Sequence, residues 1–141
     1  MARPDPFRLF RFVVEIDGTE AGGFQSVSGV ERQTQVEPYR EGGVNDFEHQ
    51  LALKTTYPPL VLKRGLVDGW LWDWHQEVIS GRVQRRTVSV VLLDEAGQEA
   101  WRWVCAAAYP ARWSGAELDA MSGAVATEAV ELVHHGITRQ R

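Results

Sequence analysis

The sequence predicts a mainly β domain of the α+β class: a compact β-sandwich or partial barrel with one packed α-helix and a long protruding β-hairpin arm. Three observations predict this fold. Apolar and polar residues alternate with period two in several runs, as in half-buried strands. One stretch, approximately 69–80, changes to a helical period, and residues 39–65 form two alternating runs around a proline-bearing turn. The length of 141 residues favours a single domain covering 1–141.

Three strands are predicted before the arm. The first stops at the turn Asp17-Gly18 and has apolar residues at every second position, Phe10, Phe12, Val14 and Ile16. A second, less regular strand covers 24–30 and bends at Gly29. The third strand places Thr34 and Val36 on one face, and its other face is entirely polar, with Gln33, Gln35 and Glu37.

The arm is predicted over approximately 39–65. Its first run alternates through Phe47, His49, Leu51 and Leu53, and its second run through Leu60 and Leu62. Between the runs, Pro58 and Pro59 cannot donate ladder hydrogen bonds, which favours a turn or a kinked edge. Gly42-Gly43 permits positive φ at the entrance to the arm. Because such a hairpin has little core of its own, we expect it to need a packing partner.

The helix is predicted from its caps and its apolar stripe. Asp68 is a suitable N-cap for a helix that begins at Gly69, and Gly81 lies where a C-terminal glycine would end it. The stripe expected to face the sheet consists of Trp70, Leu71, Trp74 and Val78. Trp72 falls on the opposite side, where its ring would be exposed in a monomer.

The second half of the chain predicts a hairpin, a connector and a final strand. Alternating apolar residues flank the turn DEAGQE, with Val88, Val90 and Leu92 before it and Trp101, Trp103 and Cys105 after it. Residues 111–123 are predicted as a connector with one helical turn that starts at Ser114. Residues 124–137 fit either a helix or a strand, and their place beside the other strands favours a strand.

Composition bounds the function classes. The formal net charge of −4 gives no basic surface for nucleic-acid phosphates or anionic lipids. Cys105 is the single cysteine, which excludes an internal disulfide and favours a reducing compartment. Charged residues interrupt the N-terminal apolar run, so no signal peptide is expected, and no stretch is long enough to span a bilayer. We therefore expect the chain to remain in the cytoplasm of the producing cell without inserting into a membrane.

The residues that carry enzyme chemistry are not arranged for catalysis. None of the four histidines has metal-ligand spacing, and His75 and Glu77 diverge on a helix, so neither a metal site nor a general base is predicted. Nucleotide-binding and nucleophile motifs are absent from the sequence, and no cofactor is expected. Six tryptophans leave one alternative: a monomeric Trp-rich β-barrel or sandwich that binds a small ligand. Trp72 and Trp113 are expected to be available to an interface.

Six short segments occur in an order that resembles the inner tube protein of contractile phage tails and related contractile injection systems. They read EPYREGGVND, LKRG, WLWDWHQ, LLDEAGQEAWRW, AAYPARWSGAELDA and EAVELVHHGI, and the similarity runs from about Phe7 to Ile137. The resemblance implies a non-enzymatic structural subunit whose hexameric rings stack into a hollow tube, which sheath contraction propels. It also implies a sheath protein, baseplate, spike and tube-cap proteins, and a cargo effector or DNA in the lumen as partners. The tube would be part of a virion tail or injection particle, which is extracellular after release.

The resemblance also suggests roles for particular residues. Contacts between subunits and between rings are expected at Tyr39, Arg40, Glu41, Gly42, Gly43, Asn45, Lys63, Arg64 and Trp72. A hydrated wall facing the channel is expected at Gln33, Gln35, Glu37, Glu48 and Gln50. Open strand edges in a small sheet need covering, and identical copies of the chain would provide that cover.

Overall fold

A computed structural model describes residues 11–39, 49–116 and 118–140. Within these ranges it contains ten strands and one helix, which confirms the mainly β, α+β class. The elements are β1 (Arg11–Ile16), β2 (Thr19–Ala21), β3 (Phe24–Ser28), β4 (Gln33–Tyr39), β5 (His49–Thr56), β6 (Leu60–Gly65), α1 (Trp70–Ile79), β7 (Arg86–Leu93), β8 (Glu99–Gly115), β9 (Thr127–Val133) and β10 (Ile137–Gln140).

The long strand β8 belongs to both halves of the main sheet. Its first part pairs with β7 and β10, and its last part pairs with β9. The change of partner occurs around Ala107, which has a left-handed φ of 53°. The strand order β2-β1-β7-β8-β9-β6-β3 leaves β2 and β3 at its two ends, so the described strands form an open sheet rather than a closed barrel.

The core lies between the two halves of this sheet. Side chains from both halves join one buried apolar cluster, which includes Val14, Val88, Val90 and Cys105 from the first half and Leu60, Leu62, Val130 and Leu132 from the second. Helix α1 adds Leu71 and Trp74 to the same cluster. At roughly 25 cal/mol per Å² of apolar area removed from water, this cluster supplies the main force that holds the halves together.

Helix α1 lies within one residue of its predicted bounds. Its N-cap is Gly69, and the carboxylate of Asp68 accepts a hydrogen bond from the Trp70 N–H at 3.0 Å. At the other end Gly81 has a φ of +86°, and the following Arg82 N–H donates to the carbonyl of Glu77 at 2.8 Å. The left-handed φ of Gly81 and this C-terminal hydrogen bond are the features of a Schellman motif, and glycine suits the left-handed position because it has no Cβ.

The apolar stripe of α1 is narrower than predicted. Leu71 and Trp74 are buried as expected, and Trp72 is exposed as expected. The prediction for Trp70 is wrong, because its ring lies at the edge of the helix contact and is 38% exposed. It contacts Trp74 at a tilt of 49° with ring centroids 5.3 Å apart, and the guanidinium of Arg86 lies over it, 5.3 Å from its centroid.

The strands of the arm differ from those predicted. The structure pairs β4 with β5 in a separate two-stranded sheet, so the arm spans 33–56 rather than 39–65. The connection 40–48 lies outside the described residues. Strand β6, predicted as half of the arm, instead pairs with β3 and β9 inside the main sheet. Its alternating residues Leu60 and Leu62 are completely buried, so their pattern reflects the core of the body.

Three further segments correct or complete the prediction. The helical turn predicted from Ser114 is wrong, since β8 continues through Gly115 and Ser114 pairs with Ala129. The segment that fitted either a helix or a strand forms strand β9, as expected. Strand β10, which pairs with the first part of β8, was not predicted.

The arm joins the body through two closely packed segments, which we call the arm root (29–32 and 57–59). Gly29 has a φ of +87°, and a Cβ at this position would lie 2.0 Å from the carbonyl oxygen of Pro59. Only glycine can therefore occupy position 29 without moving the segment that links β5 to β6. This contact fixes the two segments of the arm root, 29–32 and 57–59, against each other.

We expect Gly29→Ala to destabilise the protein by more than 2 kcal/mol, because left-handed strain of about 1–2 kcal/mol is added to a backbone clash. The matched control is Gly18→Ala, since Gly18 also has a left-handed φ of +81° but no heavy atom near the added Cβ. The control should lower the free energy of unfolding only by the left-handed strain, about 1–2 kcal/mol. Urea unfolding of both variants measures the difference, and equal losses would contradict the packing assigned to Gly29.

Candidate functional site

The arm is exposed along both of its faces. Every residue of β4 is exposed, and all of β5 between Gln50 and Thr55 is exposed as well. The exposed residues include four large apolar ones, each about half accessible to solvent: Val36, Tyr39, Leu51 and Leu53. A two-stranded sheet with no covered face is marginal in water, so this surface is suited to a contact with another molecule.

The register of the arm divides the predicted channel-facing residues between two faces. Glu37 pairs with Leu51, whereas Gln50 pairs with Pro38, the next residue along β4. Residues directly opposite in an antiparallel pair share a face, and neighbours along a strand point to opposite faces. Gln50 therefore lies opposite the face that carries Gln33, Gln35 and Glu37. The five predicted channel residues therefore do not share one face of the arm, and the channel-facing role of Gln50 stays a prediction.

A bulge shifts the pairing within the arm. Thr34 pairs with Thr55 and Val36 pairs with Ala52, so two steps along β4 correspond to three along β5. The extra residue reverses the alternation of β5 relative to β4. The sequence could not reveal this shift because each strand alternates regularly on its own.

The tip of the described arm is aromatic. Tyr39 and His49 pair directly, and their rings lie 5.4 Å apart. The predicted contact residues beyond this pair, Arg40, Glu41, Gly42, Gly43 and Asn45, lie outside the described residues, as does the channel residue Glu48. Their roles remain predictions.

His134 lies under the arm root. Its ring contacts that of Tyr57 at a tilt of 59°, with centroids 5.6 Å apart, and its Nδ1 accepts a hydrogen bond from the Gly136 N–H at 3.1 Å. Tyr57 also lies 3.5 Å from the position that a Cβ would take at Gly136. Burial lowers the pKa of His134, and the charge of neighbouring His135 adds to that effect. The neutral ring is therefore a structural part of the root.

Arg64 is buried in its own subunit rather than available to a neighbouring ring. It is 5% exposed, and its Nε donates to the Oε1 of Glu128 at 2.8 Å. Glu128 is 1% exposed and pairs directly with Arg64 across β6 and β9. The predicted contact role of Arg64 is wrong, because its position on β6 places the side chain on the core face beside Leu62.

A polar network extends from this ion pair. The indole N–H of Trp113 donates to the second oxygen of Glu128 at 2.9 Å. This tryptophan, which the sequence analysis expected to be available to an interface, therefore has a partner within its own subunit. Arg64 also binds Asp68 at 2.8 Å. The hydrogen bond from the Trp70 N–H, with further help from Arg64, lowers the pKa of Asp68. The network thus ties β6, β8 and β9 to the start of α1.

Two predicted contact residues are exposed on the body. Lys63 points to the solvent side of β6, and Trp72 is 51% exposed on α1. One edge of Trp72 rests on Trp113, with ring centroids 4.8 Å apart and the planes perpendicular. The side chains of Lys63 and Trp72 therefore remain accessible to a neighbouring molecule.

Within the described ranges we searched for grooves, metal-ligating clusters and reactive buried groups, and found no arrangement suited to catalysis. The larger grooves have volumes of about 340–350 Å³; one lies between the arm root and Trp101, and another lies beside β2 and the start of α1. Within the described ranges no group of three or more metal-ligating side chains converges. Burial raises the pKa of the Cys105 thiol to about 11, which makes it a poor nucleophile. No helix within the described ranges is long and apolar enough to cross a membrane.

Comparisons with known proteins give one family and one fold. The family model described as T4-like virus tail tube protein gp19 matches residues 8–138. The chain is similar to one in an extracellular contractile injection system, the PVC sheath-tube complex in its extended state, with a TM-score of 0.84 and 23% identity over 96% of this chain and 91% of that one. A chain of the anti-feeding prophage (AFP) baseplate has a TM-score of 0.79 and 25% identity, over 99% of this chain and 97% of that one.

A more distant similarity links the chain to Hcp1 from Flavobacterium johnsoniae, with a TM-score of 0.60 and 13% identity over 92% of this chain and 94% of that one. A search of curated protein sequences finds no match. The shared fold therefore persists where little sequence identity remains.

We expect Glu128→Ala to lower the free energy of unfolding by about 3–5 kcal/mol, because it leaves Arg64 as a buried charge with half of its pairing removed. Glu131→Ala is the matched control on the same strand, since its partner Arg112 is 71% exposed and lies 3.4 Å away. That control should cost less than about 1 kcal/mol. Chemical denaturation measures both, and a loss below 1 kcal/mol for Glu128→Ala would contradict the importance of the buried pair.

The stability of the protein should fall as pH drops below the ordinary histidine pKa of 6.5. The unfolded state binds a proton there while His134 in the folded state stays neutral, so this one group contributes a slope of up to about 1.4 kcal/mol per pH unit. His134→Leu should reduce the slope measured by urea unfolding between pH 6.5 and 5. The control is His135→Leu, because His135 is exposed; losing its charge removes only the smallest cause of the lowered His134 pKa, so the slope should change much less than in His134→Leu. A slope unaffected by His134→Leu would count against this role.

Proposed function

The chain belongs to the family of the T4-like virus tail tube protein gp19, and from this membership we propose that its subunits form hexameric rings that stack into the hollow inner tube of a contractile tail or injection system. The tube would be propelled when a surrounding sheath contracts. The function of the subunit is then mechanical, and its chemistry is that of contacts between identical copies.

The arm is the observation that carries this proposal. Its two strands lack a covered face, and beyond isolated contacts no described strand or helix of the body packs on their half-exposed apolar residues. A lone hairpin of this kind is stable only when something covers it. Neighbouring copies in a ring and in the next ring are the cover that a tube provides.

The open borders of the main sheet support lateral association. Strands β2 and β3 end the strand order, and β10 lies off this order, paired with the first part of β8. Unpaired strand borders invite pairing with another chain. In a ring, each subunit offers one border to the neighbour on one side and a different border to the neighbour on the other, which is a heterologous contact that closes by rotation.

Residue roles follow from the corrected register. We assign Gln33, Gln35, Glu37, Glu48 and Gln50 to hydrated surfaces that line or border the lumen. Gln50 belongs to the other face of the arm. Lys63 and Trp72 are assigned to contacts of the body with other subunits. Contacts between rings are assigned to Tyr39, Arg40, Glu41, Gly42, Gly43 and Asn45. Charge pairs in such contacts fix register and orientation more than they add affinity.

The proposed partners are a sheath protein, baseplate and spike proteins, a tube cap, and an effector or DNA carried in the lumen. The similar chains come from a sheath-tube complex, a tube-terminating cap and a baseplate, which supports these partners. We infer that the subunit has no enzymatic activity or cofactor, and that it is made in the cytoplasm before the particle assembles. The alternative of a monomeric ligand-binding module is not favoured, because Trp74, Trp103 and Trp113 pack with the core.

We expect the double variant Arg40→Ala/Glu41→Ala to give folded subunits that form short tubes or none, because charges at the entrance to the arm connection would set the register between rings. Negative-stain micrographs measure tube length, and circular dichroism checks folding. The double variant Arg112→Ala/Glu131→Ala removes an equal pair of charges from the body surface and should assemble normally. Long tubes from the arm variant would refute the assigned contact.

A further inference from the structure

The turn between β9 and β10 is closed by a side chain as well as by backbone. The His135 N–H donates to the carbonyl of Ala106 at 2.8 Å, and the Ala106 N–H donates to the carbonyl of Gly136 at 3.1 Å. The third bond runs from the Gly136 N–H to Nδ1 of His134. An acceptor two residues before the donating N–H is the arrangement of an Asx turn, here with a ring nitrogen in place of a side-chain oxygen. A titratable group therefore holds part of this turn.

The bond from Gly136 requires a neutral histidine ring. Nδ1 accepts a hydrogen bond only while it carries no proton, so the single ring proton is on Nε2. Nε2 is buried and has no hydrogen-bond partner within the described part of the chain. A second proton would make Nδ1 a donor that faces the Gly136 N–H, and neither N–H of the charged ring would then have an acceptor. The position that His134 occupies therefore accommodates only the uncharged ring.

The surroundings of the ring do not compensate a positive charge. Burial lowers the pKa of His134, and the nearby backbone of Pro58 offsets only part of this effect. The charge of His135 lowers the pKa further, and His135 itself lies 3.5 Å from the Arg85 guanidinium. The other titratable or charged residues of the segments around the ring are Tyr57, Glu31 and Arg32 on the arm root and Tyr109 on β8. Glu31, the one carboxylate of this set, lines the groove beside Trp101.

The same turn supports the arm root. Tyr57 directly follows β5, and its ring contacts both the His134 ring and the space beside Gly136. The backbone of the same root segment meets Gly29 at Pro59. If the His134 ring left its position, Tyr57 would lose one of these neighbours and the turn that carries the other. The attachment of β5 to the body therefore depends on the turn that His134 closes.

We propose that His134 is an acid-sensitive latch, which holds the arm root to the body while its ring is neutral and releases it when the ring is protonated. A proton from solvent binds Nδ1 and displaces the Gly136 N–H. The charged ring then moves from its buried position into water, and Tyr57 loses its contact. The body stays folded, because His134 is not part of the buried apolar cluster. The arm loses its fixed direction, and this change takes place in a single subunit without requiring the proposed tube.

Distances between spin labels on the arm and on the body test the latch. Because the single native Cys105 is buried, nitroxides attach selectively to the variant Ala52→Cys/Ala96→Cys, whose two sites are exposed on β5 and on the β7–β8 loop. Labelled subunits are diluted with unlabelled ones, so that only distances within one subunit are measured. We expect one narrow distance distribution at about pH 7.5 and a distribution at least about twofold broader at about pH 5, reversed on neutralisation. The body pair Gln76→Cys/Ala96→Cys should keep its width.

Two matched variants assign the response to the ring. In His134→Asn the side-chain oxygen accepts the Gly136 N–H in an Asx turn but takes up no proton, so the distribution should stay narrow at both pH values. The control His135→Asn should broaden in acid as the wild-type chain does. An unchanged wild-type width at about pH 5 would overturn the latch. Equal broadening in His134→Asn, or equal broadening of the body pair, would overturn it as well.

Hydrogen exchange gives a second measurement in the unaltered chain. After correction for intrinsic rates, the protection of the Ala106 and Gly136 amides should fall by up to about tenfold per pH unit below the ordinary histidine pKa of 6.5. At each pH these amides should also be less protected than those of β7. Equal protection of the turn and of β7 would mean that the turn opens only when the whole chain unfolds, and would overturn the latch. Failure of the chain to form tubes would overturn the proposed function alone.

Discussion

The buried ion pair between Arg64 and Glu128 is the constraint on which the second half of the fold depends. It continues the ladder of core-facing pairs that runs from Leu60 opposite Leu132 to Leu62 opposite Val130, so its charges occupy positions where apolar side chains would otherwise lie. Both charges are almost completely removed from water, and their cost is offset only while every partner is in place. Trp113 fixes the carboxylate, and Asp68 joins the guanidinium to the first turn of α1. The same groups therefore set the strand register and the position of the helix.

The body and the arm have opposite thermodynamic characters. The body buries its apolar residues in a single cluster between two sheet halves and a helix, so its conformation is determined by its own sequence. The two strands of the arm are hydrogen-bonded to each other, but the arm has no core and most of its side chains are exposed. The root joins them through a backbone contact that tolerates little adjustment, at Gly29 against Pro59, and the Tyr57 ring packs beside Gly136. A rigid root lets the arm project in a fixed direction before any neighbour is present, which reduces the entropy lost on assembly.

Sequence patterns predicted the class of the fold and most of its elements but not all of the pairings. Alternation reports that a strand has one buried face, and it does not report which strand lies beside it; this is why β6 was assigned to the arm. A bulge in β5 was equally invisible, since both strands alternate regularly, and it moved Gln50 to the other face. The role of Glu128 could have been found, because its position in EAVELV alternates with Val130 and Leu132 and so places a carboxylate on an apolar face. Residues 40–48 lie outside the described structure, and their roles still rest on the resemblance.

The continuity of β8 has a mechanical consequence. Since one strand of 17 residues is shared by both halves of the sheet, a pull applied to one half reaches the other along covalent backbone and not only across side-chain packing. Where such a pull runs parallel to the strands, the hydrogen bonds of a ladder are loaded together in shear and resist as a group; a pull across them would open one bond at a time. A particle that fires by sudden contraction subjects its components to brief, large forces, and a shared strand lets each subunit transmit that impulse without separating into two layers.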